Sequence, residues 1–199
     1  MNSIGTGIIK TERLTLRKFD FSDAGDMLEL WTSKPEVQHM YSEPTYNTID
    51  EVNGLLEKYI QNYDNSDYYR WAIVDNDSNR CIGQIAFYIV DTNNHFAEIE
   101  YCISTDYQNR GLMTEAVKSV IKFGFEEIGL HKIQISTKEI NAPSKRVIEK
   151  SGFTYEGTLR DYFYYDGKYI DRLYYSMIFS EYKNLKGEIK CLTGIPINI

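Results

Sequence analysis

The sequence predicts a single α/β (α+β) domain. Its central sheet is mixed, mostly antiparallel, and covered by helices on both faces. Three observations carry this. Period-two apolar runs fill the middle of the chain from Tyr69 to Ile103. A strand, a helix and a strand follow from Ala97 to Thr137, the order of a crossover between parallel strands. Two aromatic-rich runs then flank Asp166-Gly167, a strong hairpin signal. A chain of 199 residues suits one domain (1–199) with a real core, here placed at about 11–181. The tail, 182–199, shows no clear period and is left unassigned.

Each element has a local reason. Arg13 to Arg17 alternates polar and apolar residues and reads as a first strand. Ser22 can cap a helix whose Ala24, Met27, Leu28 and Trp31 share a face. Lys34 to Asn47, with Pro35 and Pro44, reads as a loop. Thr48 and Glu51 form a capping box before Val52, Leu55, Leu56 and Tyr59. Strands follow at Tyr69–Val74, Cys81–Val90 and Ala97–Ile103. The next helix, Thr114–Ile128, buries Val117, Val120, Ile121, Phe125 and Ile128 and stops at Gly129. Lys132–Thr137 is a strand, and Asn141 caps a short helix that carries Pro143 in its first turn and ends at Gly152. Phe153–Tyr165 and Lys168–Ile178 make the hairpin.

Composition excludes several classes. The net charge of −7 opposes a general nucleic-acid binder, which needs a basic face. It suits a cationic partner such as an amine, and it equally suits plain solubility. No apolar run is long enough to cross a bilayer, and no signal peptide is visible. Cys81, Cys102 and Cys191 are too few and scattered for a disulfide framework or a zinc site, and His39, His95 and His131 have no metal-ligand spacing. No metal is expected, and a reducing cytoplasm is the expected compartment.

Three groups of residues can carry chemistry. Tyr107-Gln108-Asn109-Arg110-Gly111-Leu112-Met113-Thr114-Glu115-Ala116 follows a strand and opens a helix. The amides of Asn109, Arg110, Gly111, Leu112, Met113 and Thr114 lie where a helix leaves donors unpaired, at the positive end of its dipole. Gly111 lets a ligand approach the backbone, Asn109 tolerates a left-handed conformation, and Arg110 adds charge at the rim. The stretch suits a phosphate or pyrophosphate, or is an ordinary strand-to-helix turn. In Asn141-Ala142-Pro143-Ser144, Asn141 is a helix cap or a binder of a bound chain's amides, and Ser144 is a solvated serine or a donor to a leaving group. Glu98 and Glu100 share one face of the strand before the turn; either that face is wet or one of them is a general base. The tyrosines from Tyr155 to Tyr182 are mostly packing, with one or two available to line a groove.

Taken together and in order, these motifs resemble the GNAT superfamily of acyl-CoA-dependent N-acetyltransferases. The resemblance is greatest to the branch containing bacterial ribosomal-protein N-acetyltransferases and runs from about Thr11 to Glu181. Thr11-Glu12-Arg13-Leu14-Thr15-Leu16-Arg17 is similar to that branch's opening strand, and the Tyr107–Ala116 stretch to its pyrophosphate turn. Asn141-Ala142-Pro143-Ser144 with Glu149-Lys150-Ser151-Gly152-Phe153 resembles the second cofactor motif. Glu156-Gly157 and Asp166-Gly167-Lys168-Tyr169-Ile170-Asp171 resemble the closing hairpin.

The resemblance implies a splayed strand pair with acetyl-CoA between its arms as cosubstrate. By position, the amides from Asn109 to Thr114 hold the pyrophosphate. The backbone of Tyr101, Cys102 and Ile103 pairs with pantetheine, Asn141 binds the pantetheine arm, and Ser144 protonates or stabilises the departing thiolate. A primary amine, on a protein N-terminus or a small molecule, attacks the thioester directly through a tetrahedral intermediate, so Cys102 need not be a nucleophile. Two positions depart from the pattern. Asn109 stands where the family usually has glycine. Phe163 stands where the ribosomal branch has an acid, with Asp161 the nearest, which shifts the base role toward Glu98 or Glu100. The alternatives are a polyamine- or aminoglycoside-type N-acetyltransferase and a regulatory module that holds acyl-CoA without transferring the group. Exposed hairpin edges leave room for a homodimer.

Overall fold

The computed structural model describes residues 1–193, with side chains described through Gly187. Eight strands form one sheet in the order β1-β2-β3-β4-β5-β6-β8-β7. They are β1 (Ile9–Lys10), β2 (Leu14–Arg17), β3 (Tyr69–Asp75), β4 (Cys81–Asp91), β5 (Phe96–Ile103), β6 (Lys132–Lys138), β7 (Thr154–Tyr165) and β8 (Lys168–Ile178). All neighbours are antiparallel except β5 and β6. That parallel pair is short: Phe96–Ile99 lie beside Lys132–Ile135, and the register ends there. Beyond it β5 stays on β4 as far as Gly83↔Ile103, and β6 stays on β8 as far as Lys138↔Arg172. The two strands therefore part, and the sheet opens in a wedge at its centre.

Helices cover both faces. Side-chain alternation along β3 sends Tyr69 and Trp71 to one face, where they meet Phe87 and Phe123. Phe123 belongs to α4 (Leu112–Phe123), which continues as a wider turn to Ile128 and ends at Gly129 with φ 77°. Trp71 is fully buried, and its indole N–H donates to the Gly7 carbonyl at 2.6 Å. A buried side chain of this size contributes about 2–3 kcal/mol in transfer free energy alone. On the opposite face, Arg70 stacks on Tyr59 of α3 (Ile49–Gln61). The Thr48–Glu51 capping box of α3 forms as its sequence predicts. So does the Asn141 cap of α5 (Ala142–Lys150), whose Oδ1 accepts from the Ser144 amide at 3.1 Å.

The structure departs from expectation at four places. Lys34–Asn47 is not all loop: α2 (Pro35–Tyr41) starts with proline in its first turn, where no N–H is needed, and ends at Ser42 with φ 67°. Asp20 rather than Ser22 caps the first helical segment, by a capping box with Asp23; that segment runs on through α1 (Ala24–Met27) to Thr32. Helix α4 opens at Leu112, two residues early, because Gly111 at φ 78° turns the chain sharply enough to start it there. The tail is helical as α6 (Phe179–Thr193), while residues 194–199 of the unassigned segment lie outside the described residues.

Gly83 is required by the close approach of β4 and β5. A Cβ there would sit 2.3 Å from the Cys102 carbonyl oxygen and 2.9 Å from Ile103 Cα. Gly83→Ala should therefore push back the backbone that forms one arm of the wedge, lowering stability by about 1–3 kcal/mol. Urea denaturation checks this, and an unchanged midpoint would contradict the geometry.

Candidate active site

The turn between β5 and α4 is built to offer donors. Asn109 (φ 60°) and Gly111 (φ 78°) are both left-handed and flank Arg110, so the chain folds into a concave nest. Gly111 is the N-cap of α4 and supplies no capping side chain. Among the described residues, no acceptor meets the amides of Asn109 through Thr114; the first helical bond runs from the Glu115 amide to the Gly111 carbonyl at 3.0 Å. Six consecutive unpaired amides at a helix N-terminus are the arrangement that suits an anion, with no basic side chain required.

The opening motif braces this turn. Arg13 Nε donates to Glu115 Oε2 at 2.7 Å, its Nη1 to the Arg110 carbonyl at 2.8 Å, and Thr11 Oγ1 to Glu115 Oε1 at 2.6 Å. Residues read from the sequence as a strand start thus clamp the first turn of α4 from about a hundred positions away. Spacing along the chain carries no trace of that contact.

The wedge holds the other cofactor candidates. One cavity of about 760 Å³ reaches from the Asn109–Thr114 turn past Tyr101, Cys102 and Ile103 on one arm to Asn141 and Ser144 on the other, and continues to Glu100, Phe163 and Lys138. All thirteen predicted site residues except Glu98 and Arg110 line it. Across the wedge, the Tyr101 hydroxyl lies 2.9 Å from Ser144 Oγ. Burial holds the Tyr101 phenol well above its ordinary pKa, so it keeps its proton at neutral pH. The sequence pointed to Tyr101 for its backbone only; the hydroxyl pair was invisible without the fold.

The two carboxylates of β5 share a face, as alternation requires, yet differ sharply. Glu98 is 2% exposed and accepts from Gln134 Nε2 (3.0 Å), Ser136 Oγ (2.9 Å) and Arg172 Nη2 (3.0 Å). Arg172 in turn reaches the hydroxyls of Tyr88 and Tyr162. A bulge in β4 between Phe87 and Ile89 sets Tyr88 into this group. Glu100 lines the cavity and uses one oxygen, Oε1, to accept from Arg70 Nη2 at 2.6 Å. Its Oε2 has no hydrogen-bond partner among the described residues. Arg70 is further held by Gln84, Tyr68 and Tyr41. Neither arginine was singled out by sequence reasoning, because nothing in their spacing marks them.

Burial pushes the Cys102 thiol up to about 12, the largest effect being desolvation. At neutral pH it is a thiol and a poor nucleophile. Thiol-specific labelling of the native protein at pH 7.5, read by peptide mass mapping, should leave Cys102 unmodified until the chain is unfolded. Rapid native labelling would show that the strand arm is open.

Known proteins share this sequence pattern and fold. A family model described as "Acetyltransferase (GNAT) domain" matches residues 13–154. The N-acetyltransferase p20 of Bacillus licheniformis is 30% identical over 86% of this chain and 96% of its own length. A spermidine N(1)-acetyltransferase of Vibrio cholerae is 26% identical over the same shares. Among solved structures, a GNAT-family acetyltransferase from Bacillus anthracis superposes with a TM-score of 0.75 at 29% identity, covering 86% of this chain and 98% of that one. The spermidine N-acetyltransferase of Vibrio cholerae, solved with CoA and spermine, has the same fold, with a TM-score of 0.75 at 24% identity over 87% of this chain and all of that one. With the wedge, the amide nest and a family match over most of the sheet, the chain belongs to the GNAT family of acetyltransferases, enzymes that move an acetyl group from acetyl-CoA to an amine.

Proposed function

We propose that residues 1–199 form one N-acetyltransferase domain in which the wedge binds acetyl-CoA and the continuing cavity binds a primary amine. The observation that carries this is the row of unpaired amides from Asn109 to Thr114 opening onto the same cavity as Ser144 and Glu100. The amides take the pyrophosphate, with Arg110 adding charge at the rim. The backbone edge at Tyr101, Cys102 and Ile103, left by β6, pairs with the pantetheine amides as an added strand would. Asn141 contributes its carboxamide N–H, since its oxygen already caps α5. When bound, the thioester supplies the acetyl group; the protein supplies position and proton traffic.

Of the two candidate bases, Glu100 fits the role and Glu98 does not. Glu98 is sealed beneath Arg172 and works as the anchor that orients it. Glu100 lines the cavity and its Oε2 has no hydrogen-bond partner among the described residues, so it can accept a proton from the ammonium directly or through a water. At the other end, the departing thiolate takes a proton from Ser144, which water in the cavity reprotonates, while the Tyr101 hydroxyl keeps its own proton and holds Ser144 in place.

The acceptor is a protein N-terminus or a small-molecule amine. The spermidine acetyltransferase relatives and the carboxylates of Glu36, Glu43 and Glu100 along the cavity favour a polyamine as the second reading. No helix among the described residues is long and apolar enough to cross a membrane, and Cys81 and Cys102 are free thiols, which supports a cytoplasmic setting.

Calorimetry with acetyl-CoA tests the core of this reading. Wild type should bind, and Gly111→Glu should weaken binding at least about tenfold by filling the nest and adding a negative charge against the diphosphate. A wild type that ignores millimolar acetyl-CoA would end the proposal. Ser144→Ala and Glu100→Gln should each lower turnover by about 10²-fold or more while leaving acetyl-CoA affinity near wild type. Unchanged turnover in either variant removes that residue from the proton path.

A further inference from the structure

Lys138 closes β6 and lines the acceptor end of the cavity, yet it is only 6% exposed. Among the described residues it has no carboxylate within ion-pair distance. Its ammonium donates to the His39 carbonyl at the end of α2 and lies over the rings of Phe163 (5.1 Å) and Tyr165 (5.7 Å). A lysine carries three N–H donors, and only one of these finds an oxygen here. Ring faces soften the burial of a cation but do not neutralise it. Desolvation is accordingly the force acting on Lys138, and it lowers the pKa below the ordinary lysine value.

The neighbouring cations are treated differently. Arg70 is paired to Glu100 at 2.6 Å and Arg172 to Glu98 at 3.0 Å. Arg146 and Lys150 line the cavity from α5 but are exposed, so water answers their charge. Lys138 is thus the one acceptor-side cation whose charge is left unanswered among the described residues. A buried charge held without a counter-ion is stable only if something else answers it. The cavity also carries the reverse sign: Glu43, just past the left-handed end of α2, lines it and makes no ion pair or hydrogen bond through its side chain among the described residues.

We propose that Lys138 receives an anionic group on the acceptor, so that the substrate is a primary amine carrying a carboxylate a few bonds away, as in an amino acid, with its ammonium end turned to Glu43 and Glu100. This rests on the acetyl-transfer reading above and narrows it. A polyamine would have to bring a second cation against a buried ammonium, a like-charge contact that selects against it.

The test is binding of matched amine pairs to the full-length chain saturated with CoA, measured by calorimetry. The pairs differ only in the carboxylate: lysine against cadaverine, ornithine against putrescine, β-alanine against ethylamine. Wild type should bind the carboxylated member of at least one pair about tenfold or more tightly, the scale of one lost charge contact. K138M should erase that preference while keeping its CoA affinity. Equal binding within every pair, no binding of any carboxylated amine, or a preference that survives in K138M would each overturn the proposal. The comparison within wild type needs no variant, so a poorly folded K138M leaves it decisive. Thiol release from acetyl-CoA with the same amines is read separately. An amine that binds through Lys138 without being acetylated refutes the transfer reading and leaves the Lys138 site standing.

Discussion

The structure turns on the short parallel contact between β5 and β6. Four residues from each strand pair, and then the two part because each has a better partner on its other side. Gly83 lets β4 approach β5 closely at Cys102 and Ile103, the arm that has left β6. The parting leaves a run of main-chain donors and acceptors without partners in the middle of a sheet. Unpaired backbone groups at such a place are unstable unless water or a ligand meets them. In the proposed complex a pantetheine arm, which carries two amides, meets them as a ninth strand would.

Around the wedge, polar groups sit at depths where they are normally excluded. The face of β5 carrying Glu98 and Glu100 is stabilised by arginines from β8 and β3, each capped by tyrosine hydroxyls and aromatic rings. The arrangement answers nearly all the buried charge with hydrogen-bonded partners, as low-dielectric surroundings demand. It also separates two carboxylates that look equivalent in the sequence. One is locked into the scaffold; the other lines the cavity.

Residues distant in the chain stabilise the functional turn. Thr11 and Arg13 fix Glu115, and Glu115 fixes the first turn of α4. The turn is therefore braced by side chains of the opening segment. A nest that needed ordering on binding would lose part of its affinity to that ordering. The apolar side of α4, packed against Trp71 and Tyr69 through Phe123, holds the other side of the same helix.

Much of this was legible in the sequence, for physical reasons that are local. Period-two runs, the Thr48–Glu51 box, the Asn141 cap and the Asp166-Gly167 turn depend on residues within a few positions of one another, and all four appear as read. The amide nest was readable too, because Asn109, Gly111 and a helix start are enough to orient six N–H groups. The helix at Pro35–Tyr41 was missed because Pro35, the nearby Pro44 and mixed polarity look like a loop until Val37 and Gln38 are buried. The sequence by itself determined where a helix start leaves a row of free amides and which strands flank it. Only the tertiary structure decided that Glu98 is held while Glu100 lines the cavity, that Tyr101 meets Ser144, and that Lys138 has no counter-ion among the described residues. Each of those facts depends on contacts between side chains tens of residues apart, and the energy of a charge or hydroxyl depends on which groups surround it rather than on its neighbours in the chain.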